Sequence, residues 1–266
     1  MRFRKIHGAG NDFILFTNPR LNAQTDWPKE AARLCARRTG VGADGLVVSR
    51  FASAPHTVLE VECFNADGSI ATMCGNALRC AAWAARCDQG FRTMQLHMAG
   101  VLHEATVDTD SVWVTAEVGP IEPRVVQTII NGRPTWFDSV HTGTEHVVAV
   151  VDDVDAVNAE VVGRVVRHHR NLTPIGTNVN FVQRLGRQAL KIRTYERGVE
   201  AETLSCGSGA VAAVVIATMR GLVAKREVTV HNQAGEPLTV RPHDERPDRA
   251  AWVGGPVTQT FEGVLA

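Results

Sequence analysis

Residues 65–85 read NADGSIATMCGNALRCAAWAA, and residues 196–217 read ERGVEAETLSCGSGAVAAVVIA. In each, a polar turn leads to Cys-Gly, and Cys-Gly opens an alanine-rich stretch of helical character. Cys74 and Cys206 stand about half a chain apart in 266 residues. At a helix start, unsatisfied backbone N–H groups and the positive end of the macrodipole both favour a thiolate. One such cysteine reads equally well as a small residue opening a core helix. Two at matching places suggest an acid and a base, one from each half, facing each other across a cleft.

Outward from these sites, short alternating or β-branched runs predict strands at 13–17, 45–49, 58–64, 93–98, 102–108 and 112–117. The second half repeats the pattern at 146–151, 178–182, 189–195, 227–231, 237–241 and 251–254. Helices are expected from Pro28 to Arg38, over 77–86, over 158–169, and over 210–220 with Gly221 closing it. The shared order suggests an internal duplication. The fold class is α/β (α+β): two pseudo-symmetric lobes, each a curled mixed or antiparallel sheet wrapped round its central helix. Pro120 and Pro123 interrupt the strand pattern, so the lobes are expected at 1–118 and 119–256.

Lys plus Arg equals Asp plus Glu at 28 each, so nothing in the net charge calls for nucleic acid or an anionic membrane. No apolar run approaches the roughly 20 residues of a membrane span. The start, MRFRKIHGAGNDF, lacks the apolar core of a signal peptide, and a cytoplasmic enzyme is expected. Six cysteines without Cys-x-x-Cys fit neither a disulfide framework nor a zinc site, so no metal is expected. Gly8-Ala9-Gly10 has no helix after it and no Lys-Ser/Thr, which rules out a phosphate loop.

The amides of Gly75, Asn76, Gly207 and Ser208 are placed to bind a carboxylate and stabilise charge developing on it. Asn65 and Glu196-Arg197 occupy equivalent places before the two cysteines. Asn65-Ala66-Asp67-Gly68 is also an ordinary turn, and Glu196-Arg197 an ordinary exposed pair. Arg197 could clamp a carboxylate, and Glu196 could accept from an ammonium group. Asn11 opens a strand, and Asn178 and Asn180 share one strand face. His146, at a strand start, could tune a nearby thiol.

The ordered set HGAGNDF (7–13), RRTGVGADG (37–45), FNADGS (64–69), CGNALRC (74–80), GTNVNFVQ (176–183), YERG (195–198) and CGSGA (206–210) resembles the diaminopimelate epimerase family over nearly the whole chain. The resemblance implies two-base epimerisation of LL- and meso-diaminopimelate, without pyridoxal phosphate or any other cofactor, in lysine and peptidoglycan precursor synthesis. It assigns catalysis to Cys74 and Cys206, and tuning of the thiols to His146 and Glu196. Asn11, Asn65, Gly75, Asn76, Thr144, Asn178, Glu196, Arg197, Gly207 and Ser208 would contact the amino-acid substrate. It also implies that residues 257–266 return to the first lobe. A homodimer is left open.

Three features depart from the common pattern. Gly143-Thr144-Glu145-His146 replaces Gly-Asn-Pro-His, one residue is added between Glu196 and Glu202, including Glu200, and Gly45 stands where some members carry Gln. These motivate an alternative, a racemase of the same fold acting on a basic amino acid or histidine. A non-catalytic ligand-binding or redox-sensing relative is the reading from another class.

Overall fold

The computed structural model describes residues 1–18, 25–52 and 58–265. They divide into two units, one of Met1–Val114 with the chain from Gly255 onward, the other of Thr115–Gly254.

The first unit contains β1 (Arg2–Gly8), β2 (Asn11–Thr17), α1 (Trp27–Leu34), β3 (Gly45–Phe51), β4 (Val58–Asn65), α2 (Gly75–Gln89), β5 (Thr93–Met98), β6 (Val101–Val107) and the start of β7 (Val112–Glu117). The second contains β8 (Ile121–Ile130), β9 (Arg133–His141), β10 (Glu145–Val150), α3 (Ala159–Arg167), β11 (Asn178–Gly186), β12 (Ala189–Glu196), the short β13 (Ala201–Thr203), α4 (Gly207–Met219), β14 (Val228–His231), β15 (Leu238–Pro242) and β16 (Ala250–Gly255). The last strand, β17 (Val257–Val264), pairs antiparallel with β1 in the first unit.

The duplication is written in the ladders. In the first unit the order is β17-β1-β2-β3-β4-β5-β6-β7, with β2–β3 and β4–β5 parallel and the rest antiparallel. In the second it is β8-β9-β10-β11-β12-β14-β15-β16, with β10–β11 and β12–β14 parallel and the rest antiparallel. Parallel neighbours need a crossover, and each of these parallel pairs is bridged by an α-helix, α1, α2, α3 and α4 in turn. Register then gives residue equivalences. Gly45 pairs with Phe13 and Asn65, while Asn178 pairs with His146. Phe13 therefore matches His146, Gly45 matches Asn178, and Asn65 matches Glu196.

Both central helices are core elements. Gly75–Ala82, Ala84 and Ala85 of α2 are buried, and α2 packs against β1 to β6 and β17. The α4 sequence, GSGAVAAVVIATM, is apolar or small on every side, which only a buried helix tolerates. Gly90 closes α2 at φ 81°, and Gly221 follows α4 at φ 69°. On the other side of each sheet, α1 packs with Phe16 and Leu46, and α3 with Phe181 and Tyr195.

Two expectations are corrected. The first helix stops at Leu34 rather than Arg38, because the Gly42 and Ala43 N–H groups take the Leu34 and Cys35 carbonyls. Pro120 does lie in a break, between β7 and β8, but Pro123 does not interrupt the strand that follows. Pro123 lies inside β8, where the register shifts between Glu122 and Val126 on an edge strand that needs only one partner. The β8–β9 hairpin was unforeseen, although its Asn131-Gly132 turn, both at positive φ, is a strong hairpin signal.

Candidate active site

Cys74 and Cys206 are each the N-cap residue of a central helix, α2 and α4. Both are partly exposed. The other four thiols are held protonated. Burial raises Cys35 to about 11, raises Cys80 further, and raises the more exposed Cys87. Cys63 lies well above the ordinary thiol range, first through its hydrogen bond to Cys74 and then through burial. A Cys63 thiol held protonated has an S–H to offer the Cys74 sulfur. Nothing in the sequence marked Cys63, which reads as one more core residue of β4.

Around Cys74, the first-turn residues Gly75 and Asn76 are buried. The Asn76 side chain is committed within the unit, with Nδ2 donating to Asn11 Oδ1 at 3.1 Å and Oδ1 accepting from Arg79 Nη2 at 2.8 Å. Arg79 is fully buried on α2. A buried guanidinium is costly, and here it braces the turn that carries Cys74 and Asn76. Asn11 in turn donates to Asp44 at 2.9 Å. Asp44 and Asp12 share Arg37, and Lys5 binds Asp12 and the Gly42 carbonyl. Burial works against the Asp12 carboxylate, but Lys5 and Arg37 hold it below the usual range. Asn11 is thus positioned through the β1–β2 turn at Ala9-Gly10, both at positive φ. Asn65 ends β4 with Nδ2 donating to Ser69 Oγ at 2.9 Å, as part of a turn completed by Gly68 at φ 88°.

In the second unit the expected residues form two linked groups. The first centres on Arg197. Its Nη2 donates to Thr144 Oγ1 at 2.7 Å, its Nη1 to Glu145 Oε2 at 2.9 Å, and its backbone N–H to Asn178 Oδ1 at 2.9 Å. Glu196 Oε1 accepts from Thr203 Oγ1 at 2.5 Å. The added acid, Glu200, binds Arg167 and the Gly198 N–H. Burial would raise its carboxyl, but the Gly198 N–H and Arg167 hold it low.

The second group surrounds Cys206. Its Sγ accepts from the Gly209 N–H at 3.4 Å and lies 3.5 Å from Ser208 Oγ. Ser208 Oγ is 3.0 Å from His146 Nε2, and His146 Nδ1 is 3.1 Å from Asn180 Nδ2. His146 and Asn180 are wholly buried. Burial first, then Arg197 and His141, push the imidazole down to about 3, so it is neutral at ordinary pH. Asn180 was legible as the second amide of the strand face, but its link to His146 was not.

Among the described residues, no group of three or more His, Cys, Asp and Glu is arranged to hold a metal, and no helix is long and apolar enough to cross a membrane. A cavity of about 980 Å³ in the second unit, lined by Arg124, Trp136, Asp138 and Arg220 among others, includes none of the expected site residues. Size alone does not make it the reactive site, because neither Cys74 nor Cys206 lines it and no helix start does.

The family model for diaminopimelate epimerase matches residues 3–122 and 139–257. Diaminopimelate epimerase from Aquifex aeolicus is 36% identical over 278 residues, covering 100% of this chain and 98% of that relative. The one from Methanocella arvoryzae is 37% identical over 286 residues, covering 100% and 96%. A solved hydroxyproline epimerase from Agrobacterium vitis, with bound trans-4-OH-L-proline, matches with a TM-score of 0.75 at 15% identity, covering 99% of this chain and 91% of that one. At that identity the likeness shows the fold alone.

Proposed function

The chain belongs to the diaminopimelate epimerase family, and on that premise we propose that it interconverts LL- and meso-diaminopimelate by two-base proton transfer without pyridoxal phosphate. The carrying observation is that each of two duplicated units places a part-exposed cysteine at the start of its central helix. In the forward step one thiolate takes the α-proton. The C–H bond breaks, an S–H bond forms, and the electron pair passes into the adjoining carboxylate. The other cysteine gives its thiol proton to the opposite face of the carbon and is left as thiolate. The reverse reaction exchanges the two roles.

An amino-acid α-proton is weakly acidic, so the developing charge needs fixed donors. The first-turn amides at Gly75-Asn76 and Gly207-Ser208 are assigned to the reacting carboxylate, where they act as oxyanion holes do. Asn11, Asn65, Thr144, Asn178, Glu196 and Arg197 are assigned to the rest of the substrate, and His146 and Glu196 to tuning of the thiols. The same proposal places the enzyme in the cytoplasm, in lysine and peptidoglycan precursor synthesis.

A second reading, a racemase for another amino acid, is favoured by one observation. Thr144 and Glu145 already occupy both terminal nitrogens of Arg197. Purified enzyme incubated in deuterated water with LL-diaminopimelate, and separately with lysine, arginine and histidine, decides between them. Loss of the α-proton signal from LL-diaminopimelate alone supports the first reading; exchange confined to another amino acid rejects it.

A further inference from the structure

The hydrogen bonds from Asn180 through His146 to Ser208 have a forced direction. Asn180 Nδ2 lies 3.0 Å from the Val147 carbonyl, which only accepts. That fixes the amide orientation, and the Asn180 Oδ1 contact with Thr194 Oγ1 at 3.0 Å agrees with it. The second Nδ2 proton then points at His146 Nδ1, 3.1 Å away, so Nδ1 must be the accepting nitrogen. A neutral imidazole with an accepting Nδ1 carries its proton on Nε2. Nε2–H therefore donates to Ser208 Oγ at 3.0 Å. Ser208 Oγ accepts there and keeps its own proton to give, and the Cys206 sulfur lies within reach at 3.5 Å. Thr142 Oγ1 holds the Ser208 carbonyl at 3.0 Å and fixes the backbone that carries the hydroxyl.

We propose that Ser208 is a positioning residue whose hydroxyl donates to Cys206, its direction set by Asn180 and His146, so that Cys206 rests as the thiolate. The proposal rests on Cys206 being one of the two bases. Two donors then converge on its sulfur, the Gly209 N–H and the Ser208 O–H, and hydrogen bonds to a charged acceptor are the strong ones. His146 works here as a fixed donor and not as a base. An imidazolium would point an Nδ1–H at the Asn180 amide protons. Arg197 and His141, the charged or titratable groups that reach the ring, both oppose its protonation.

The test reads Cys206 directly and needs no turnover. Alkylation by iodoacetamide is followed at the Cys206 peptide by mass spectrometry across pH. In Ser208→Ala the midpoint of the rate-against-pH curve should rise by about one pH unit, the size of one lost charge-assisted hydrogen bond. Ser208→Thr, which keeps the hydroxyl, should stay within about 0.3 units of the parent, well inside that shift. Equal midpoints in parent and Ser208→Ala overturn the proposal. Nitrogen NMR of His146 in the unaltered enzyme gives a second reading that survives misfolding of any variant. An Nε2–H tautomer unchanged down to pH 5 is expected; an Nδ1–H tautomer, or titration near the ordinary histidine value, overturns it. If diaminopimelate shows no α-proton exchange while the midpoint shift and tautomer hold, the substrate reading fails and this inference stands.

Discussion

Acidification should destabilise this protein through His146, by an amount that can be worked out. Burial, with Arg197 and His141, lowers the ring from 6.5 to about 3 in the folded chain. An unfolded chain takes up that proton as pH falls through about 6.5. The folded chain refuses it until about 3. Between those values the unfolded state binds more protons, so stability drops as pH drops. At about 1.4 kcal/mol per unit, lowering the pH from 7 to 5 removes about 2 kcal/mol through this residue alone. The ring is fully buried, so no reduction for solvent screening applies. Other groups also titrate over this range, and His146→Phe isolates the contribution. The variant should lose about 1–3 kcal/mol at pH 7, because an Asn180 amide proton is left without its acceptor. Its further loss on going to pH 5 should be about 2 kcal/mol smaller than that of the parent. Urea unfolding followed by far-ultraviolet circular dichroism at pH 7, 6 and 5 measures both. Stability curves that run parallel with pH would refute a neutral, buried His146.

Cys63→Val removes the S–H that reaches Cys74, and should raise the alkylation midpoint of Cys74 while leaving that of Cys206 unmoved; a Cys74 curve that does not shift counts against the contact. Glu145→Gln relieves Arg197 of a competing carboxylate, a partly exposed pair worth about 0.2–1 kcal/mol, so KM should fall by roughly 1.4- to 5-fold; a rise in KM would show that Glu145 itself serves the substrate. Asp138 is buried and pairs with Arg220 at 2.6 Å. Asp138→Asn should therefore cost about 3 kcal/mol in thermal or urea unfolding. Turnover per folded molecule should be preserved, and a loss of kcat would move the reactive site toward the cavity that Asp138 lines. Gly45→Gln should lower the melting temperature by overpacking, typically about 1–3 kcal/mol, since a Cβ there would lie 2.7 Å from the Phe64 carbonyl; an unchanged melting temperature would mean that the strand shifts freely.

Much of this was written locally in the chain. The twelve expected strands all recur, eleven within a residue or two and β11 running four residues further, because each carries its own period-2 or β-branched signal, and the two central helices follow directly from their Cys-Gly starts. What was hidden depends on partners distant in sequence. β17 reads as a polar alternating tail, and its pairing with β1 spans the whole chain. β8 was obscured by Pro123 and the charges beside it, although Asn131-Gly132 announced the hairpin. At the site, the sequence supplied Cys74, Cys206, His146 and the amide face of β11. It could not show that Asn178 turns to Arg197 while Asn180 turns to His146, since neighbours on adjoining strands decide that. Cys63 and Arg79 were equally silent. Each looks like part of an ordinary strand or helix until its contact with Cys74 or Asn76 is seen.

The fate of solvent deuterium in the first turnovers tests the two-base claim most directly. LL-diaminopimelate is incubated briefly in deuterated water, and the LL and meso isomers are separated for mass spectrometry. Two monoprotic thiols predict one deuterium in newly formed meso product and almost none in recovered LL substrate. Deuterium appearing early in both isomers would mean that a single base serves both faces, and the assignment of Cys74 and Cys206 as partners would be wrong.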